Sequence, residues 1–296
     1  MNKVRLLLAF CLVVLSGAVG GCGGTTRTAP ATYLAVGDSY AAGYTTAAAA
    51  TPSFGFPGYV LPYAGWLAAK NPRLGVVNLA IPGETSETFF STGSTGAPFN
   101  RHYSLVLAPG GYPTNAVSQA DLIVSRIRQE HEAGRSVYRI TVQLGGNDLL
   151  ALVVDPGFLA ADEATRQQRL TETLAGTRSR YREVLRILRA AAPEAVILAV
   201  GYTNPFPPLG PLFPAQGFAV EAVPALNAVI AAESAAAGAI YVDIYERFLG
   251  HEAEWTFITS GVPTPGPTPG TEAPNVHPND AGYAAIAELL QAADPG

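Results

Sequence analysis

Three polar clusters and one distant histidine supply the residue types that acyl transfer requires. Gly37-Asp38-Ser39-Tyr40 brings a hydroxyl, Pro82-Gly83-Glu84 a glycine amide, and Gly145-Gly146-Asn147-Asp148 a side-chain amide. His277 follows far downstream in Val276-His277-Pro278-Asn279. A serine hydroxyl is a weak nucleophile at neutral pH until a positioned base takes its proton, and histidine is the usual base. The tetrahedral intermediate carries an oxyanion that fixed donors must meet. Ser39 and Gly83 can offer backbone N–H groups, and Asn147 its NH2. Each residue taken singly also has a plain structural use. Ser39 or Asn147 can cap a helix, the glycines can serve turns, and His277 can be a loop residue. Asp148 is assigned to structure.

The elements that must hold these residues follow from apolar patterning. Short apolar runs at Tyr33–Val36, Gly75–Leu79, Val137–Leu144, Ala195–Val200 and Ala239–Ile244 read as strands. Helical spacing covers Tyr63–Lys70, Val117–Ala133, Asp162–Ala192, Val220–Ala237 and Asp280–Ala293. Strands that alternate with helices and are apolar almost throughout imply a parallel sheet covered on both faces, an α/β three-layer sandwich. Such sheets bind ligands beyond the carboxyl ends of their strands. The three clusters follow the first, second and third runs, so Ser39, Gly83 and Asn147 should share one edge. His277, just before the last helix, should join them.

Loops rich in Gly and Pro interrupt the alternation at Ile81–Thr114, Tyr202–Phe218 and Ser260–Asn275. Tyr202–Phe218 reads either as a wall for an acyl or aryl group or as packing over a sheet edge. The helix carrying Arg178, Arg180, Arg182, Arg186 and Arg189 also carries Glu172 and Glu183, and reads as a solvated face. His102, His131 and His251 have no metal-ligand spacing. No metal or cofactor is expected.

Taken in order, the clusters resemble the sequence blocks of the SGNH, or GDSL-type, hydrolases. Gly37-Asp38-Ser39-Tyr40 resembles the first block, with Tyr40 where the family has Leu. Asn78-Leu79-Ala80-Ile81-Pro82-Gly83, Gly145-Gly146-Asn147-Asp148 and Val276-His277-Pro278-Asn279-Asp280-Ala281-Gly282-Tyr283 resemble the others. The resemblance implies a flavodoxin-like fold with a central parallel sheet of about five strands. It implies carboxylic ester hydrolysis with Ser39 as nucleophile and His277 as base. Ser39, Gly83 and Asn147 would form the oxyanion hole. One position departs from the family: the Asp expected three residues before the histidine is Pro274. The Pro274 carbonyl is the favoured substitute for orienting the imidazole, with Glu272 as the other candidate, and a neutral acceptor implies slow turnover.

The N-terminus bears on location. Lys3 and Arg5 precede an apolar run from Leu6 to Leu15 that is too short for a transmembrane helix and reads as the core of a signal peptide, residues 1–21. Val19-Gly20-Gly21-Cys22 resembles a bacterial lipobox, which makes Cys22 the lipid anchor and residues 22–32 a tether to a single domain, 33–296. Cys11 would leave with the signal, so acylation accounts for the odd thiol. The expected location is a cell-membrane or outer-membrane lipoprotein facing the periplasm or exterior. A formal net charge of −5 gives no reason to expect nucleic acid as a partner, or anionic membrane held by charge. The partner would be a small-molecule or lipid ester. The rival of a different class is a non-catalytic cell-surface protein binding carbohydrate or lipid on this scaffold.

Overall fold

The computed structural model describes residues 29–44, 58–91, 117–211, 214–261, 264–265 and 272–296. Cys11, Cys22, His102 and most of the loop expected at 81–114 therefore lie outside the described residues. Five parallel strands form the sheet: β1 (Ala31–Gly37), β2 (Leu74–Asn78), β3 (Ser136–Gln143), β4 (Val196–Val200) and β5 (Ile240–Val242). Their order is β2-β1-β3-β4-β5, the flavodoxin-like arrangement. The expected α/β sandwich is the observed fold.

The helices are α1 (Ser39–Ala42), α2 (Val60–Lys70), α3 (Gln119–Glu132), α4 (Gly146–Val153), α5 (Pro156–Leu159), α6 (Glu163–Ala191), α7 (Pro214–Ala236), α8 (Tyr245–Phe248), α9 (Glu252–Trp255) and α10 (Asp280–Ala293). A two-stranded ribbon, β6 (Thr264–Pro265) with β7 (Glu272–Ala273), stands apart from the main sheet.

Strand pleating explains the two cores. Leu34 and Val36 of β1 pack with Ile123 of α3, Val184 and Leu188 of α6 and Leu226 of α7. Tyr33 and Ala35 point the other way, toward Val60 and Tyr63 of α2 and Ile286 and Leu290 of α10. Burial on both faces accounts for the unbroken apolar character of β1.

Several boundaries move, the helix expected from Tyr63 beginning at Val60 and β5 shortening to Ile240–Val242 among them. Ala31 and Thr32, expected in the tether, are fully buried in β1, because they pair with β2 and β3. The helix expected from Val220 begins at Pro214. Gly146–Val153, where no helix was expected, forms α4 with Gly145 as its N-cap.

Strand order decides where chemistry can sit. β1 is flanked by β2 on one side and β3 on the other, so the connections leaving β1 and β3 diverge to opposite faces of the sheet. The crevice opened at that switch point lies at the carboxyl ends of these strands. Ser39 and Asn147 lie just past those ends.

Candidate active site

Gly37 ends β1 with a sharp turn that only glycine makes comfortably. Its φ is +125°, and a Cβ there would meet the Gln143 carbonyl oxygen at 1.9 Å. Asp38 N–H donates to that same oxygen at 2.9 Å, which ties the turn to the end of β3. Asp38 then caps α1 by accepting from Tyr40 N–H at 3.0 Å. Ser39 is therefore the first residue of α1 and not its cap, and is 8 % exposed.

Asp38 is held from the other side by the Tyr202 hydroxyl, which donates to Oδ2 at 2.5 Å. Burial pushes the Asp38 carboxyl up to about 7. The Tyr202 and Tyr40 hydrogen bonds pull it down, and the nearby Asp148 and Glu84 carboxyls add smaller upward pushes. Tyr202 is fixed by Asn227 of α7, which accepts from Tyr202 N–H and donates to Tyr202 C=O, each at 2.8 Å. Tyr202 and Phe206 both sit in the core, so the start of the Tyr202–Phe218 loop is packing that steadies Asp38.

His277 comes from the segment between β7 and α10. Phe257 N–H donates to His277 C=O at 2.9 Å, and Asn279 N–H to Trp255 C=O at 2.9 Å, so the segment is pinned from behind. Asn279 caps α10 through Ala281 and Gly282 N–H. Gly282 is needed because a Cβ there would lie 2.2 Å from the Trp255 carbonyl oxygen. On the other side the Tyr40 hydroxyl donates to Val276 C=O at 2.6 Å, and Tyr283 OH to Tyr44 C=O at 3.0 Å. The first and last sequence blocks thus bind each other directly.

The imidazole, 8 % exposed, packs 4.6 Å from the Tyr44 ring and 5.8 Å from the Tyr40 ring. Tyr40 follows Ser39 in the chain, and Tyr44 N–H donates to Ser39 C=O at 2.9 Å. The imidazole and the Ser39 backbone are therefore linked through the same two tyrosines. Among the described residues no hydrogen bond joins Ser39 Oγ to the ring. Catalytic hydrogen bonds often tighten only when substrate is bound.

The group orienting His277 corrects the sequence reading. The Pro274 carbonyl does not fill that role: Nδ1 lies 2.9 Å from Asn275 Oδ1, while the Glu272 side chain lies outside the described residues. The same oxygen accepts from His277 backbone N–H at 3.2 Å. That backbone donor fixes which end of the amide faces the histidine. An acceptor opposite Nδ1 requires Nδ1–H, which leaves the Nε2 lone pair as the basic site. Burial pushes the imidazole down to about 3, so it is neutral over the physiological range. The sequence signal for Asn275 was an amide two residues before His277.

A carboxylate at 275 would stabilise imidazolium where the amide cannot. Asn275→Asp is expected to raise the histidine pKa, moving the acid limb of the kcat/KM profile upward from about pH 3. Neutral-pH turnover should rise about tenfold, a fraction of what a charged partner can contribute to a histidine base. The pH profile of p-nitrophenyl acetate hydrolysis checks both.

The second and third blocks meet as expected. Gly83 lies in an exposed turn with φ +83°, closed by Glu84 N–H donating to Ile81 C=O at 3.1 Å. Asn147, in the first turn of α4, donates Nδ2 to Glu84 C=O at 2.9 Å. One of its two amide protons is thereby spent on orientation and the other is left to point elsewhere. Asn78, also in the second block, holds α1 by donating to Ala41 C=O at 2.9 Å.

Asp148 is buried beneath this turn and accepts from Ser86 N–H at 2.8 Å, Ser86 Oγ at 2.5 Å and Thr177 Oγ1 at 3.1 Å. Arg180 departs from the solvated-face expectation: its Nε donates to Ser86 Oγ at 2.8 Å. Arg182 also departs from it in part, pairing with the buried Glu233, while Arg186 pairs with Glu183 at the surface. Among the described residues no group of three or more His, Cys, Asp or Glu side chains is placed to hold a metal.

The chain belongs to the GDSL-like lipase/acylhydrolase family, whose sequence model matches residues 35–285. Within that class the protein is a carboxylic ester hydrolase. Its fold is similar to phospholipase A1 from Streptomyces albidoflavus NA297, at 22 % identity and TM-score 0.53, covering 90 % of this chain and all of that one. A lipase, Lip_vut3, from goat rumen metagenome aligns at 19 % identity and TM-score 0.57, covering 90 % and 98 % of the two chains. The extracellular lipase of Streptomyces rimosus aligns at 20 % identity and TM-score 0.54, covering 89 % and 100 %. No curated protein sequence matches the chain significantly.

Proposed function

We propose that the protein is a serine hydrolase that cleaves carboxylic esters through an acyl-enzyme. His277 Nε2 takes the Ser39 proton as Oγ attacks the ester carbonyl. The oxyanion rests on the N–H groups of Ser39 and Gly83 and on the free amide proton of Asn147. His277 returns the proton to the leaving alcohol. A water then loses its proton to the same nitrogen as it attacks the acyl carbon, and the acid leaves as the Oγ–C bond breaks and His277 returns that proton to Ser39.

The single observation that carries this reading is the 2.9 Å contact between His277 Nδ1 and Asn275 Oδ1. A buried imidazole oriented as Nδ1–H by Asn275 is a free base at Nε2, packed on Tyr40 and Tyr44, which follow Ser39. The neutral partner limits how far imidazolium is stabilised, so modest turnover is the corollary. The same neutral partner is the one feature favouring a non-catalytic surface-binding protein. An organophosphonate separates the two, since only an activated Ser39 reacts. A series of p-nitrophenyl esters of rising chain length then defines the substrate as acetyl, acyl or lipid. Lipid or acyl esters are preferred here because of the proposed anchor.

The proposal includes export and membrane attachment through a diacylated Cys22, following the lipobox-like Val19-Gly20-Gly21-Cys22. Labelled fatty acid should enter the protein in bacterial cells and be lost in Cys22→Ala, with activity moving to the soluble fraction. Equal labelling of the variant would refute the anchor.

A further inference from the structure

We propose that Gln119 is a positioning residue that sets the separation of the Ser39 and Gly83 turns, and with it the geometry of the oxyanion pocket. This rests on the reading of Ser39, Gly83 and Asn147 given above. Gln119 opens α3, is 1 % exposed, and takes no part in the chemistry assigned so far. Its Oε1 accepts from Gly37 N–H at 2.9 Å, and its Nε2 donates to Gly37 C=O at 3.0 Å. The same Nε2 reaches the Glu84 carboxylate at 3.1 Å.

One side chain therefore grips both polar groups of the residue that begins the nucleophile turn and the residue that follows Gly83. Glu84 passes the constraint on, because its carbonyl accepts from Asn147 Nδ2. All three proposed oxyanion donors are connected to Gln119 through at most two residues. Gly37 C=O also accepts from Ile81 N–H at 2.9 Å, so the amide sits where the chain after β2 leaves the edge of β1. There it takes the place of a further sheet rung. An apolar side chain of similar size would fill this space without fixing either turn. Displacing a reacting group by about 1 Å can cost on the order of 100-fold in rate, so loss of this grip should be visible in kcat.

A double-mutant cycle tests the role. Gln119→Met, with similar volume and no hydrogen bonds, should lower kcat about 30-fold on p-nitrophenyl acetate with KM nearly unchanged. In an Asn147→Ala background the same change should cost about 10-fold, because the Asn147 donor aligned through Glu84 is gone while the Ser39 and Gly83 donors that Gln119 holds remain. Affinity for a boronic acid that forms a tetrahedral adduct on serine should fall in parallel with kcat. If Gln119→Met does not fold, Gln119→Glu carries the same test, since it keeps the shape and the acceptor for Gly37 N–H and loses both donated bonds.

Equal factors in both backgrounds, or an unchanged kcat, would overturn the inference and leave Gln119 a packing residue. Ser39→Ala is run beside these variants. Should Ser39→Ala be inactive while the Gln119 variants keep full kcat, only the positioning role fails; should Ser39→Ala stay active, both readings fail.

Discussion

Ser39→Ala should abolish ester hydrolysis, with kcat falling at least about 10⁴-fold, the range found when a serine-hydrolase nucleophile is deleted. The loss is large because the other hydroxyls at this turn are committed elsewhere: Tyr40 OH donates to Val276 C=O and Tyr202 OH to Asp38. The backbone there is fixed by Asp38 N–H on the Gln143 carbonyl and by the Asp38 cap on Tyr40, and neither bond uses the serine side chain. Removing one oxygen from a residue 8 % exposed should leave the melting temperature nearly unchanged. Circular dichroism and p-nitrophenyl ester turnover on the same sample separate chemistry from folding. Substantial residual activity in Ser39→Ala would place the nucleophile elsewhere.

Asn147→Ala is expected to reduce kcat by about 100- to 1000-fold with little change in KM, the usual cost of removing one side-chain oxyanion donor. Two consequences combine here. The proton proposed to meet the oxyanion is lost, and so is the hydrogen bond to Glu84 C=O that holds α4 against the Gly83 turn. Asn147→Asp distinguishes them, because it keeps the size and replaces the donor with a negative charge facing a developing negative charge. It should be at least as damaging as alanine. Kinetics of the two variants side by side test the assignment, and a kcat within about threefold of wild type in either would remove Asn147 from the pocket.

pH acts on the fold through two opposed groups. The His277 pKa is depressed from 6.5 to about 3, so the unfolded chain binds the proton more tightly and this contribution to stability is lost as pH falls through that window. Asp38 is raised from 3.8 to about 7, so the folded chain holds its proton, and that contribution is lost as pH rises between those values.

How much of this was readable in the sequence differs from residue to residue. The strand-end placement of Ser39 and Asn147 was legible because continuous apolar runs mark parallel strands and chemistry collects at their carboxyl ends. The return of His277 to the first turn was legible only through block order. The latch that achieves it, Tyr40 OH on Val276 C=O, spans 236 positions and leaves no local trace. Block order carries no such signal for Asn275: the family's spacing points to an acid at position 274, whereas a side-chain amide two residues from the histidine reaches Nδ1 by a different path. Gln119 was overlooked because α3 was recognised from its apolar stripe. Nothing in a helix pattern says which polar residue of the first turn faces inward. Arg180 shows the same blindness: charge counting put it in solvent, while a single buried Ser86–Asp148 pair draws it in.

The central claim is that a neutral His277, oriented by an amide, activates Ser39. The rate of fluorophosphonate labelling, with the adduct mapped by mass spectrometry, tests it most directly. One adduct per chain is expected, on Ser39, forming at neutral pH in the wild type and at least about 100-fold more slowly in His277→Ala. An unlabelled Ser39, or labelling that proceeds equally well without the imidazole, would contradict it.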